Sequence, residues 1–522
     1  MDMRVFTSAS SEDISRYAPP ENFELRGKSY SVIFEGGRRM TLAFPKERGP
    51  SCVKIKDSIW LVATTSLEPP AACVLDLDAG LVTRVIPSSD GGFELSFGAL
   101  EGISGPHHEL ADDLTGNTVE WTFGVLESSV IRAALGNGKA TLTRPFAHKA
   151  KKLTAKGYHT VKITKQVYLQ VATVTSGDTA YQICLLCDFH RILCVGSLFG
   201  PGDDIRVIGG HGKLPSDAYT SFSGGLDLRE LSPFGKDSIH QYTPPQCYEL
   251  SGKTFELAMD DGYDFSLHFL DNQRLEWRRA NKNPAKARYK CLKADDTTYL
   301  VSYELPDIRP RVNHTFVLDL ENMLVTRIIS TIGKNPRWPY LMKTEFEFGA
   351  IGVADESQTY PRHGFTSDLI GNIMQWAYGS EMSTVHIYYC GDFYRLTHPR
   401  VRVSSKADAE ANYAFNDMQN ALPSTDEPTS YIKIKEGMYL ISLTEVNCEK
   451  LLGAKVGFRS NTLCFLQNYK RCRVVGRAFG TTTKPDGTDS DTNIIIGAYG
   501  RAVEAADEDL KHMLTDPNPF LV

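Results

Sequence analysis

The chain repeats itself, and the repeat limits the folds open to it. Leu25-Arg26-Gly27-Lys28-Ser29-Tyr30, followed by Met40 to Phe44, resembles Leu250-Ser251-Gly252-Lys253-Thr254-Phe255 followed by Phe265 to Phe269. Val74-Leu75-Asp76-Leu77, ending in Leu81-Val82-Thr83-Arg84, returns as Val317-Leu318-Asp319-Leu320, ending in Leu324-Val325-Thr326-Arg327. These stretches run on to Phe97-Gly98-Ala99 and Phe348-Gly349-Ala350. A second pattern follows each: Asp113-Leu114-Thr115-Gly116-Asn117 with Trp121, and Asp368-Leu369-Ile370-Gly371-Asn372 with Trp376. Farther along, Val161-Lys162-Ile163 with Tyr168-Leu169 matches Ile432-Lys433-Ile434 with Tyr439-Leu440. The order is A-B-A′-B′, a tandem duplication of a unit that itself holds two modules of roughly a hundred residues.

Within the modules the apolar signal is short and extended. Tyr263 to Phe269 alternates Tyr, Phe, Leu and Phe on one face with Asp, Ser and His on the other, which is strand periodicity. Thr384 to Tyr389, Tyr431 to Ile434, Met438 to Leu443, Thr315 to Leu320 and Val325 to Ile329 are further strand candidates, rich in β-branched and aromatic residues. Only Glu504 to Leu514 and, more weakly, Ala407 to Leu422 read as amphipathic helices. Many short antiparallel strands joined by small turns favour closure. The expectation is an all-β chain of four small barrels or half-barrels. Its boundaries are module A at 21–110, B at 111–200, A′ at 246–351 and B′ at 368–500, with a tail at 501–522. The Gly-, Pro- and Ser-rich stretches 201–245 and 352–367 read as linkers, and 399–428 as a lid or linker loop.

Composition narrows the function. Hydrophobic residues make up 42% and charged residues 23% of 522, as in an ordinary globular protein. A net charge of -6 supplies no cationic field for phosphates, so nucleic acid is not an expected partner. No run of eighteen apolar residues appears, and Met1 to Arg26 lacks a signal-like apolar stretch, so a cytoplasmic protein with no membrane partner is expected. The 11 cysteines are scattered, which favours buried thiols over a disulfide framework. Fusing two units in one chain lessens the need for oligomerisation, so the expected state is a monomer or weak homodimer. No Gly-x-Gly-x-x-Gly opening a helix, no Walker loop and no His-Glu-x-x-His occurs, so neither a nucleotide cofactor nor a metal is expected. Cys184-x-x-Cys187 stands without a second ligand pair. His107-His108 lies in a Gly-rich loop and reads as solvent-exposed, with the edge of a site as the alternative.

The second half resembles a known family. Gly252-Lys253-Thr254-Phe255, Arg274-Leu275-Glu276-Trp277 and Phe316-Val317-Leu318-Asp319-Leu320 are similar to the N-terminal module of the MoaF family. Leu369-Ile370-Gly371-Asn372, Val385-His386-Ile387-Tyr388-Tyr389, Tyr431-Ile432-Lys433-Ile434 and Val474-Val475-Gly476 are similar to its C-terminal module. The resemblance implies calycin or lipocalin-like barrels whose interiors can hold a small molecule. It also implies a fold like that of the phenolic acid decarboxylases, which use tyrosines with an arginine and a glutamate and need no cofactor.

The two halves serve as an internal alignment. Val130-Ile131-Arg132-Ala133-Ala134 in B is set against Val385-His386-Ile387-Tyr388-Tyr389 in B′, so an imidazole and two phenols replace a largely apolar set. Gln273 to Trp277 has no partner in A, because the stretch from Phe44 to Cys52 is too short to contain it. Polar chemistry is therefore concentrated in the second half. His386 and Tyr388 share one strand face and Tyr389 takes the other. With the first pair inward, His386 is the candidate general acid or base and Tyr388 its neighbour; an ordinary hydrogen-bonded or surface histidine is the alternative. Glu276 is a second candidate proton donor if it lies in a lumen, where its pKa would rise, or else a member of an exterior salt bridge. Tyr299, Tyr303, His314, His268, Trp277, Tyr389 and Arg395 are candidate substrate-binding residues, with core packing or surface placement as the alternative for each. Arg327 recurs as Arg84 and reads as structural.

These features point to a cofactor-independent isomerase, cyclase or decarboxylase acting on a hydrophobic or aromatic small molecule by acid–base catalysis. A noncatalytic carrier for such a molecule would need the same barrel and lining.

Overall fold

The structure is a computed structural model. It describes residues 14–47, 49–64, 69–126, 129–143, 152–176, 179–200, 205–214, 226–231, 239–280, 282–306, 308–333, 342–352, 361–380, 382–397, 425–447, 458–483 and 489–502. The expected helices at 504–514 and 407–422 lie outside these residues, as does the tail from 503 onward.

The chain forms two compact units that divide at Pro245/Gln246. Almost all regular structure is antiparallel strand; the one α-helix among the described residues is the single turn Leu228–Leu231. Four barrels or half-barrels result, two in each unit. In the first unit, module A is an open seven-stranded sheet from Ser29–Phe34 to Phe93–Leu100. Module B is a nine-stranded sheet in which eight strands close into a ring, with Lys139–Thr143 pairing with Lys152–Lys162, and the short strand Glu109–Leu110 attached outside.

In the second unit, A′ is a closed barrel of eight strands running from Thr254–Met259 to Met342–Ile351. It has one strand more than A because Arg274–Arg279 is inserted between Asp264–Phe269 and Ala285–Lys293. That is the segment for which A has no room. B′ repeats the ring of B: Thr425–Lys435 closes on Met438–Glu445, and Gly364–Phe365 is attached outside.

Three segments read as linkers or lid loops are partly strand; at the end of 399–428, Thr425 to Pro428 open the strand Thr425–Lys435 and pair with Phe393–Thr397. Ile205–Lys213, inside 201–245, completes the B ring by pairing with both Leu193–Phe199 and Thr118–Thr122. Its glycines answer to packing rather than to a loop: a Cβ on Gly210 would lie 2.0 Å from the Thr122 carbonyl oxygen, and one on Gly212 would lie 2.8 Å from the Trp121 ring. Likewise Gly364–Phe365, inside 352–367, pairs with Lys433 and Ile432. His108 also departs from expectation. It is buried, its Nδ1 lies 2.8 Å from Thr83 Oγ1, and His363 meets Thr326 in the same way at 2.8 Å. These histidines bind each loop to the outer wall of its A-type module.

Within the second unit the outer walls of A′ and B′ pack on each other. Leu292, Leu300, Val317 and Ile328 meet Ile432, Leu440, Leu466 and Val475 in one buried cluster. Arg477 is fully buried beside it, donating to Thr315 Oγ1 (2.9 Å), the Thr462 carbonyl (2.8 Å) and Ser330 Oγ (2.6 Å). The ten described cysteines are free thiols, nine of them buried, Cys184 and Cys187 included. Burial pushes both of those thiols above the usual range, which leaves them protonated.

Candidate functional site

Strand pairing fixes which residues of B and B′ correspond. Ile131 is opposite Trp121 in B, and Thr384 is opposite Trp376 in B′. The Gly116 amide donates to the Leu135 carbonyl as the Gly371 amide donates to that of Tyr388. His386 therefore corresponds to Ala133 and Tyr388 to Leu135, two residues along from the alignment read off the sequence. An even offset leaves the facing of every side chain unchanged.

Extending this register around the ring isolates the difference between the modules. Ala140 pairs with Ala155 where Tyr394 pairs with Glu427. Tyr168 pairs with Cys187 where Tyr439 pairs with Gln467. Counting from Tyr168 and Tyr439, which both bond an aspartate at 3.1 Å, places Val174 against Glu445. Ala133, Leu135, Ala140, Ala155, Val174 and Cys187 all belong to the apolar core of B. In B′ the same six lumen positions hold His386, Tyr388, Tyr394, Glu427, Glu445 and Gln467.

The B′ lumen is ordered by hydrogen bonds and ring contacts. His386 is buried, with Nε2 3.0 Å from Thr384 Oγ1 and its ring 4.9 Å from that of Tyr394. The Tyr388 hydroxyl lies 3.4 Å from His386 Nδ1 and donates to Gln467 Oε1 at 3.1 Å. Trp376 Nε1 donates to the same hydroxyl at 3.4 Å, and the Tyr469 hydroxyl also donates to Gln467. The Glu427 carboxylate accepts the amides of Val446 (2.6 Å) and Asn447 (2.9 Å).

Glu445 is a strongly perturbed acid of this lumen. Desolvation, with the Glu427 charge adding to it, pushes its carboxyl up to about 8. At neutral pH it is protonated and able to donate, while an imidazole stands in the same lumen. Burial also raises the phenols of Tyr378, Tyr431 and Tyr469 and takes Tyr388 to about 12, so each acts as a neutral hydrogen-bonding group.

The A′ lumen holds a separate cluster. His314 and Tyr303 are cross-strand partners with Nδ1 and hydroxyl 3.2 Å apart. Arg327 reaches His314 Nε2 at 3.1 Å and donates to Glu347 Oε2 at 2.6 Å. Phe265 stacks on Trp277 (5.6 Å, 4° between planes), and Arg327 lies 4.6 Å over Phe265. Desolvation first, then Arg327 and Arg279, hold His314 well below the usual imidazole range, so it is neutral. Trp277 Nε1 and Arg327 Nε are buried donors without partners. In A the arginine remains as Arg84, but Ser96 stands at the Glu347 position, Ala71 at that of His314 and Cys73 at that of Phe316. Arg327, read as structural from the sequence, thus lines the A′ lumen.

The residues singled out in the sequence fall into distinct places. His386 and Tyr388 lie in the B′ lumen; Tyr303, His314 and Trp277 lie together in that of A′. Tyr299 faces the other end of the A′ barrel, donating to Glu249 (2.6 Å) beside the buried Lys293–Glu249 pair (2.9 Å). Glu276 and His268 are cross-strand neighbours on the outer face of A′, because Leu275 and Trp277 take the core side. Glu276 and His268 therefore do not line the lumen, contrary to the expectation for both. Arg395 also faces outward in B′, in a buried pair with Asp426 (2.9 Å) and 5.4 Å over the Tyr389 ring. Neither it nor Tyr389 lines the lumen. Sequence reasoning missed Glu427, Glu445, Tyr394, Gln467 and Glu347. Glu445 had one usable signal, its position two residues beyond Leu443 on the same strand face.

Among the described residues no group of three or more His, Cys, Asp or Glu side chains is placed to hold a metal ion, and no helix is long and apolar enough to cross a membrane.

Residues 233–334, which include most of the A′ barrel, match the MoaF N-terminal domain family. No curated protein matches the chain.

Proposed function

We propose that B′ is the catalytic module of an enzyme that isomerises or cyclises a neutral hydrophobic or aromatic small molecule by acid–base chemistry. The observation that carries this reading is the exchange of six core positions of B for His, Tyr, Glu and Gln in B′. Ionisable groups in a lumen cost folding free energy, so their concentration in one of two register-matched modules favours a chemical role.

Glu445, protonated near neutrality, donates a proton to the substrate, and His386 removes one from another atom, so the substrate's composition is unchanged. Tyr388, held by Gln467 and Trp376, keeps the imidazole placed. The charges favour a neutral substrate over an acid. Arg395 and Arg477 face outward, and Lys433 is bound to Asp368 (2.8 Å) at the opposite end of its strand from Glu427. Decarboxylation, which requires a bound carboxylate, is the less favoured chemistry for this lumen.

The A′ lumen favours a binding role for that module. Its unpartnered buried donors, Trp277 Nε1 and Arg327 Nε, suit the oxygen acceptor of a planar ligand lying against Phe265 and Tyr303.

Mass spectrometry of small molecules retained by the purified protein, before and after incubation with cell extract, tests both roles. Wild type should convert a retained compound, and His386→Gln should retain it unchanged with melting temperature preserved. A compound held unchanged by both proteins would replace catalysis with carriage.

A further inference from the structure

The outer wall of A′ carries a cleft of about 660 Å³ that the chemistry above does not use. Its lining includes five cations, Arg274, Lys286, Arg288, Lys290 and Arg309, and one carboxylate, Glu304. Arg274 is held by Asp271 (2.6 Å), and Glu304 is already taken by Arg311 (2.6 Å). Arg288 donates to Gln273 Oε1 (2.6 Å), Arg309 to the Ile308 carbonyl (2.9 Å) and Lys290 to the Asn493 carbonyl. Among the described residues none of these three, nor Lys286, pairs with a carboxylate. Lys290 is also half-buried, and desolvation holds it below the usual lysine range, with Glu304 opposing.

Four cations without an ion-pair partner among the described residues stand around one cleft, against only the Glu304 carboxylate near Lys290 and Glu276 across the strand from Lys286, and that is not a general property of a chain whose net charge is -6. Nor do they come with the fold. Counting back from the matched buried lysines Lys54 and Lys293, module A has Glu47, Gly49 and Ser51 where A′ has Lys286, Arg288 and Lys290.

We propose that this cleft binds a phosphorylated small molecule through its phosphoryl groups. The volume is that of a small-ligand site. The guanidinium forks of Arg288 and Arg309 match phosphoryl oxygens in pairs, and Lys286 and Lys290 act as point charges. Tyr248 and Leu305, also in the lining, offer an apolar face to the rest of the molecule. The site is independent of the B′ lumen, so its test neither requires nor decides the proposed reaction.

Calorimetric titration of the full chain with inorganic pyrophosphate, AMP and the tricarboxylate tricarballylate provides the test. Pyrophosphate and AMP should bind, with tricarballylate clearly weaker. Arg309→Gln and Lys290→Gln should each weaken pyrophosphate about tenfold, while Lys253→Gln, an exposed cation outside the cleft, should leave it unchanged. Arg309 is exposed, so its variant decides the matter even if Lys290→Gln fails to fold. No binding of either phosphoryl probe at low ionic strength, equal binding of tricarballylate, or wild-type affinity in Arg309→Gln would overturn the proposal.

Discussion

Replacing Glu445 by glutamine should make the protein more stable, and by an amount that grows with pH. The carboxyl is pushed from 4.5 to about 8 by burial and by Glu427. Below pH 4.5 the side chain is protonated in both the folded and the unfolded chain and contributes no difference. Between there and about 8 the unfolded chain loses the proton while the folded one keeps it, so the wild type loses stability as pH rises through this window. The full shift corresponds to about 4 to 5 kcal/mol. Water reaching this half-buried side chain reduces the effect to about 2 kcal/mol, or roughly 4 to 8 °C in the transition of a domain of this size. Glutamine has no proton to lose and keeps the shape. The assay is the melting temperature of wild type and variant from pH 5 to 9, read as the difference between them so that titrations common to both cancel. The difference should be small at pH 5 and widen to about pH 8. A flat difference, or a wild type that gains on the variant with rising pH, would refute the placement of a neutral carboxyl in this lumen.

Arg477→Ala should destabilise the second unit by about 3 kcal/mol or more, since it leaves the Thr462 carbonyl and two hydroxyls buried without a donor; denaturant titration checks this, and a loss under 1 kcal/mol would contradict the network. Glu249→Gln should cost about 3 to 5 kcal/mol by stranding Lys293, which is 5% exposed, and a neutral melt would show the pair to be dispensable. Trp277→Phe should change stability by less than about 1 kcal/mol, because its N–H has no partner to lose, yet it should reduce retention of any A′ ligand in the mass-spectrometric assay. Unaltered retention would remove Trp277 from the binding surface.

Much of the architecture was legible because barrels write themselves in period two. Alternation placed His386 and Tyr388 on one face and Tyr389 on the other, and the length of Phe44 to Cys52 foretold that A lacks the strand Arg274–Arg279. What failed did so for physical reasons. Ile205–Lys213 looks like a loop because its glycines are demanded by the Thr122 carbonyl and the Trp121 ring, contacts that composition does not display. The charge of Glu276 suggests a lumen acid, whereas the apolar pair Leu275 and Trp277 on either side of it decides the facing. His108 and His363 sit in Gly- and Pro-rich loops yet are buried by a hydroxyl on the neighbouring wall. Glu427 and Glu445 belong to no motif; only the register of B against B′ assigns them to the lumen that holds His386.

That register also locates the difference between the two rings on which the proposed chemistry rests. The two rings share their framework: Trp121 and Trp376 lie under Gly212 and Gly500, and Lys162 and Lys433 are bound to Asp113 and Asp368. With the frame held constant, the lumen is the variable. In B it is filled by Ala, Leu, Val and Cys, a packed core that stabilises without reacting. In B′ the same volume holds an imidazole, two carboxyls and several phenols, and each of these groups is more costly to bury than the side chain it replaces. The apolar wall contact of B′ with A′ and the buried Arg477 network offset that cost from outside the ring. A lumen that is unfavourable within and held by its exterior is the arrangement expected of a site kept for reactivity rather than for packing.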